Sequence, residues 1–133
     1  MTHAGSRLVR ILLDANFMTI PGKFMVDVFD QLWDFGKVDL YTLDVVVREL
    51  ERLALGSGRD SRYAKVGLQL MKKEGVEIIR TGGNPHHTDA LILEYAKNGH
   101  YTVCTLDRAL IKRLKKHKIP VISLRQGRYL QKV

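Results

Sequence analysis

Two rhythms of apolar residues alternate along this chain. Short continuous runs bounded by polar or turn residues read as buried strands, and stretches with an apolar residue every third or fourth position read as helices. The first run, LVRILL at residues 8–13, ends at Asp14. After Pro21 and Gly22, the residues Phe24, Val28, Leu32 and Phe35 keep helical spacing, widened by Met25 and Phe29, as far as Gly36. Phe24, Phe29 and Trp33 share that spacing and are expected in the core rather than as base-stacking residues. Residues 38–43 form a second run, and Asp44 is expected to cap a helix that buries Val46, Val47, Leu50 and Leu53.

Residues 56–59 (GSGR) make a loop, and Ala64, Leu68 and Met71 mark a helix that stops at Gly75. Residues 76–80 (VEIIR) supply the next strand, followed by a turn at Gly82, Gly83, Asn84 and Pro85. A helix from Asp89 to Asn98 is closed by Gly99, residues 101–105 form a fourth strand, residues 108–116 a basic helix and residues 120–124 a fifth strand. Strands separated by helical crossovers predict an α/β fold with a mostly parallel sheet covered on both faces. A chain of 133 residues with 45% hydrophobic content fits one domain over residues 1–133.

No apolar run approaches the roughly 20 residues of a membrane span, and the N-terminus shows no secretory signal pattern, so a cytoplasmic protein is expected. The single cysteine, Cys104, lies in an apolar run and reads as a buried, inert thiol. Charge is unevenly divided. The net charge is +8, and Arg108, Lys112, Arg113, Lys115, Lys116, Lys118, Arg125, Arg128 and Lys132 follow Asp107 with no acid among them. Such a one-sided basic field suits a polyanion, whether RNA, DNA or an acidic partner, because neutralised phosphates release counterions. A solvated lysine face is the plainer alternative.

Chemistry is carried by four acids. In open α/β sheets ligands collect beyond the carboxyl ends of the strands. Asp14 and Asp107 follow strands directly, Asp89 opens the helix after the third strand, and Glu49 lies about a turn into the helix after the second. Singly, the three aspartates could be helix caps worth roughly 1 kcal/mol each. Glu49 could be a surface residue reaching Arg52 for roughly 0.2 to 0.5 kcal/mol. Together they form a cluster whose mutual repulsion raises pKa values and costs stability unless a cation binds.

Carboxylates without a Cys or His ligand set suit the hard ions Mg²⁺ or Mn²⁺, and such ions support hydrolysis of phosphodiesters. The motifs of acyl transfer and of nucleotide-cofactor binding are missing from the sequence. A phosphorylated receiver is disfavoured because the third strand ends in Arg80, Thr81 and Gly82, without an acceptor aspartate.

From Arg10 to about Tyr129 the sequence resembles a PIN domain. The resemblance is carried by the strand ending in Asp14, by Glu49 in VVRELERL, by Asp89 in HHTDALIL, and by Thr105 and Asp107 in CTLDRAL. It implies a three-layer α/β/α sandwich with a five-stranded parallel sheet, and a single-strand-specific ribonuclease using one or two Mg²⁺ or Mn²⁺ ions. Asp14, Glu49, Asp89 and Asp107 would be the catalytic, metal-binding acids. Thr105 would support Asp107 through its hydroxyl, and Asn16 matches a polar position of the family. Two branches are similar: VapC-type toxins and archaeal relatives of the nucleases that process ribosomal RNA. The chain departs from the second branch at Thr88, where that branch tends to have an acid beside the one matching Asp89.

The expected RNA surface is Arg108, Lys112, Arg113, Lys115, Lys116, Arg125 and Arg128, with Tyr129 as a stacking candidate. His86 and His87 read as a solvated loop pair, since a divalent ion that activates water requires no histidine base. The resemblance brings in single-stranded or structured RNA, ribosomal RNA included, and an antitoxin or a ribosome-assembly factor. A second copy of the chain would fit an apolar helix stripe. The non-enzymatic alternative is a PIN-fold RNA-binding scaffold in ribosome assembly.

Overall fold

The computed structural model describes residues 8–133, so the N-terminal stretch read as lacking a signal lies largely outside it. Its centre is β1 (Leu8–Leu13), whose last three residues, Ile11, Leu12 and Leu13, have no solvent exposure. A strand buried this completely needs neighbours on both edges and layers on both faces. β1 pairs in parallel with β2 (Lys37–Leu43) on one side and with β4 (Thr102–Cys104) on the other. β3 (Glu77–Ile79) extends the sheet beyond β2, and β5 (Val121–Arg125) extends it beyond β4. A final strand, β6 (Tyr129–Lys132), runs antiparallel to β5 and completes the order β3-β2-β1-β4-β5-β6.

The chain therefore moves outward from β1 in one direction, then returns to start again from β4 in the other. The gap between β1 and β4 is the point where strand order reverses. The connections back and forth are helical: α1 (Ala15–Met18), α2 (Ile20–Phe24), α3 (Val28–Leu32), α4 (Asp44–Ala54), α5 (Arg59–Lys73), α6 (Thr88–Gly99) and α7 (Arg108–Lys116). α4 and α5 pack together with α1 and α2, whereas α6 packs with α7. The three-layer α/β/α arrangement is the expected one.

Six strands stand where five were expected. The sixth arises because Gln126 and Gly127 both take positive φ, 55° and 64°, in a turn closed by the Arg128 N–H to the Arg125 carbonyl at 3.0 Å. Gln31 secures the returning strand: its amide nitrogen donates to the Arg128 carbonyl at 2.9 Å and its amide oxygen accepts from the Leu130 N–H at 2.7 Å.

The single helix expected up to Gly36 is broken. Met25 adopts a left-handed conformation (φ 57°), ending α2, and Asp27 restarts the chain as α3 by accepting from the Asp30 N–H at 2.9 Å. A 3₁₀ turn, Trp33–Phe35, follows. The break turns the apolar stripe, so that Phe29 is buried as expected while Trp33 (50% exposed) and Phe24 (38%) lie at the surface. Asp44 also differs from expectation. It is the first residue of α4, and its carboxylate accepts from Val45 N–H, Thr81 N–H, the Thr81 hydroxyl and Gly82 N–H, which ties the segment after β3 to α4. Although partial burial raises its pKa, these hydrogen bonds outweigh that effect and hold the carboxyl below its ordinary value.

α5 approaches α1 closely because Gly67 carries no side chain. A Cβ there would lie 2.6 Å from the Met18 carbonyl oxygen. Gly67→Ala must separate the two helices, and overpacking of this kind costs about 1 to 3 kcal/mol. A lower midpoint of urea unfolding with an unchanged slope is expected; an unchanged midpoint would show that the contact gives way freely.

Candidate active site

At the reversal point the ends of β1 and β4 are joined by hydrogen bonds. The Asp14 N–H donates to the Cys104 carbonyl at 3.0 Å, in continuation of the sheet. The Asp14 side chain is only 5% exposed, and both carboxylate oxygens are engaged. Oδ1 accepts from the Ala15 N–H at 2.8 Å, capping α1, and Oδ2 accepts from the Thr105 hydroxyl at 2.7 Å. The same Thr105 oxygen accepts from the Asp107 N–H at 3.1 Å. Thr105 thus serves Asp14 through its hydroxyl proton and meets Asp107 at the backbone, rather than supporting the Asp107 carboxylate.

Asn16 makes a second link, its side-chain oxygen accepting from the Leu106 N–H at 3.0 Å. Asp107 caps α7 by accepting from the Leu110 N–H at 3.0 Å. Asp89, for which a cap was the plainer alternative, is the second residue of α6, and that helix has no side-chain cap. Glu49 lies midway along α4, half-buried like Asp89. Among the described residues neither the Glu49 nor the Asp89 carboxylate receives a hydrogen bond.

Three of the acids carry raised pKa values. Burial, only partly offset by the Thr105 and Ala15 hydrogen bonds and reinforced by the charges of Glu49 and Asp89, raises the Asp14 pKa from 3.8 to about 6. Glu49 is raised by burial and by Asp89, with Arg52 acting against both. Asp89 is raised by burial and by Asp107, with Arg113 opposing. A chain of repulsion therefore runs from Asp14 through Glu49 and Asp89 to Asp107.

The donor set is one of hard carboxylate oxygens, and it carries uncompensated negative charge, which fits a hard divalent cation. Among the described residues no three His, Cys, Asp or Glu side chains converge closely enough to enclose an ion by themselves. An ion bound among them would keep several of its waters. His86 and His87 are exposed in the wall of a cavity of about 400 Å³ that also holds Glu49, Asp89 and Arg113. Cys104 is fully buried, and burial pushes its thiol pKa well up, so it is inert as expected.

Of the residues expected to bind RNA, Arg113 lines that acidic cavity. Arg108, Lys112, Lys115 and Lys116 lie exposed on α7, and Arg125, Arg128 and the 44%-exposed Tyr129 lie on the β5–β6 hairpin. The sequence reading missed Lys23, Asp60 and Tyr63, which with Asn16, Glu49 and Leu53 line a second cavity beside the acids. They come from α2 and α5, and no local pattern in the sequence signalled them.

A family model described as a PIN like domain matches residues 11–127. Ribonuclease VapC4 of Methanocaldococcus jannaschii is 30% identical over 131 residues, spanning 93% of this chain and 96% of that protein. The solved structure of the PIN domain endonuclease Utp24 superposes with a TM-score of 0.77 at 23% identity, covering 92% of this chain and 90% of that one. A domain of a functionally unknown protein from Methanocaldococcus jannaschii superposes at 0.64 with 16% identity, covering 88% and 91%. The two superpositions establish likeness of fold.

The raised pKa of Asp14 makes stability depend on pH. A folded value of about 6 against 3.8 means that the folded state binds the proton more tightly. The stability this confers is complete below 3.8 and is lost as pH rises through about 6. Without divalent ions, ionised Asp14 should weaken folding at about pH 7.5 by about 3 kcal/mol, with Glu49 and Asp89 acting in the same sense. Asp14→Asn should therefore raise stability at about pH 7.5 and shrink the difference from about pH 5, measured by denaturant titration in EDTA. A wild-type protein more stable at the higher pH would contradict the burial of this charge.

Proposed function

The chain belongs to the PIN like domain family, and on that premise we propose that it is a cytoplasmic, divalent-metal-dependent endoribonuclease acting on single-stranded RNA. The observation that carries the proposal is the buried Asp14 carboxylate, held by Thr105 at the reversal point and repelled by Glu49 and Asp89. A carboxylate held in a costly charged state, with like charges facing it, is arranged for a cation and not for the fold. The ribonuclease activity named for the VapC4 relative agrees with this role.

Asp14, Glu49, Asp89 and Asp107 would hold Mg²⁺ or Mn²⁺, with Asp14 as the fixed member because both of its oxygens are already oriented. When bound, the ion supplies positive charge to the phosphate and acidifies water. Thr105 and Asn16 position Asp14 and the segment 105–107 against each other. Arg113 faces the cavity that holds Asp89, where a guanidinium can bind phosphate oxygens in two-pronged fashion. The remaining bases of α7 and the hairpin give long-range attraction for the strand.

Asp14→Asn and Asp89→Asn should each remove Mn²⁺-dependent cleavage of single-stranded RNA, while circular dichroism reports an intact fold. Full cleavage by both variants would refute the site. Thr105→Val should lower activity by roughly 10- to 100-fold, the usual effect of removing an outer partner of a metal ligand. RNA bound without any products, over a broad substrate set, would identify a binding scaffold instead. Lys112, Lys115 and Lys116 changed together to Gln should lessen the slope of log affinity against log salt by about 2, given roughly 0.7 per phosphate contact on a single strand. An unchanged slope would move the RNA off α7.

A further inference from the structure

We propose that the cavity between α1, α2, α4 and α5 is a nucleobase subsite, which seats an amino-bearing base of the RNA strand beside the acidic centre. The inference rests on the ribonuclease reading and adds to it a determinant of sequence preference. The cavity has a volume of about 190 Å³. That is below the roughly 300 to 1,000 Å³ typical of small-molecule sites and suits a single planar heterocycle.

Its walls are chemically divided. Tyr63 and Leu53 give an aromatic and an aliphatic surface, and the Tyr63 ring is backed by Gly22, where an added Cβ would lie 3.0 Å from the ring. Asp60 and Glu49 place carboxylates in the lining, which repel a phosphate and accept hydrogen bonds from an exocyclic amino group. The Asn16 oxygen is occupied by the Leu106 N–H, leaving the amide nitrogen as the group free to donate to a ring nitrogen or carbonyl. Lys23 lines both this cavity and an adjoining depression with Arg59, which places positive charge for one flanking phosphate along their common edge.

Glu49 joins this cavity to the one holding Asp89 and Arg113. A strand lying across both would thus have one base in the pocket and the next phosphate at the acids. Adenine and cytosine present an amino group to Asp60; uracil presents a carbonyl oxygen in the equivalent place, which a carboxylate repels.

Equilibrium affinities of hexameric adenylate, cytidylate, uridylate and abasic ribose-phosphate strands, measured in EDTA by fluorescence anisotropy, test the assignment. Wild type should bind the adenylate and cytidylate strands about ten-fold more tightly than the abasic strand, as stacking on one aromatic ring provides. It should also bind them more tightly than the uridylate strand. Tyr63→Ala should bring the base-to-abasic ratio close to one. Asp60→Asn, a change at an exposed position, should remove the preference over uridylate without touching the packing. Wild-type ratios near one, or ratios unmoved by both variants, would overturn the subsite. Cleavage of the same strands with Mn²⁺ is scored in parallel. Products without discrimination leave the nuclease and refute the pocket, whereas discrimination through Tyr63 and Asp60 without products keeps the pocket and refutes the nuclease.

Discussion

Burying a carboxylate at the end of the central strand is the constraint around which this molecule is arranged. β1 delivers Asp14 into the protein because its last three residues are entirely enclosed by β2, β4 and the helical layers. A buried charge without partners would be too costly to keep. The Ala15 amide and the Thr105 hydroxyl supply those partners, and Thr105 must sit at the end of β4 to do so. That requirement fixes how β1 and β4 adjoin, and with it the segment from Thr105 to Asp107 and the start of α7. The two hydrogen bonds do not fully offset desolvation, and the residual imbalance, visible as the raised pKa, is what a bound cation would relieve.

The electrostatics have two scales that act in opposite directions. Over the whole chain the charge is +8, concentrated after Asp107, which draws in polyanions from a distance. Within the centre, four carboxylates repel one another and would repel phosphate as well. Arg113 is where the scales meet, since it belongs to the basic helix yet lines the same cavity as Asp89 and opposes its raised pKa. On the proposed function, a phosphate attracted to the basic surface would reach the acids past Arg113.

Asp14, Thr105 and Asp107 were legible in the sequence because a parallel sheet places whatever follows each strand at one edge, and strand ends are marked by abrupt loss of apolar residues. Glu49 and Asp89 were legible only in conjunction, since each alone is an ordinary helix residue. The cap that Asp89 could have been, taken singly, is not formed, because position near a helix start says nothing of which oxygen meets which amide. Sequence reasoning joined α2, α3 and the 3₁₀ turn because Phe24, Val28 and Leu32 keep helical spacing through the left-handed Met25, and Asp27 as a new cap was overlooked. The sixth strand was hidden because YLQK is short and its turn uses Gln-Gly rather than a stronger hairpin pair. Lys23, Asp60 and Tyr63 were invisible for a different reason: they meet only through the packing of α2 on α5, which no local pattern encodes.

The strand order has a consequence for the history of each molecule as it is made. Asp14 is synthesised before its Thr105 partner, which lies 91 positions later, and β4 must pair with β1 before the two can meet. Contacts of such sequence separation form late in folding because a long loop must close first. During synthesis the growing chain therefore carries its first acid and the amide that caps it while the centre itself does not yet exist. A protein whose proposed work is to cut RNA would acquire its chemistry only once β4 is in register beside β1.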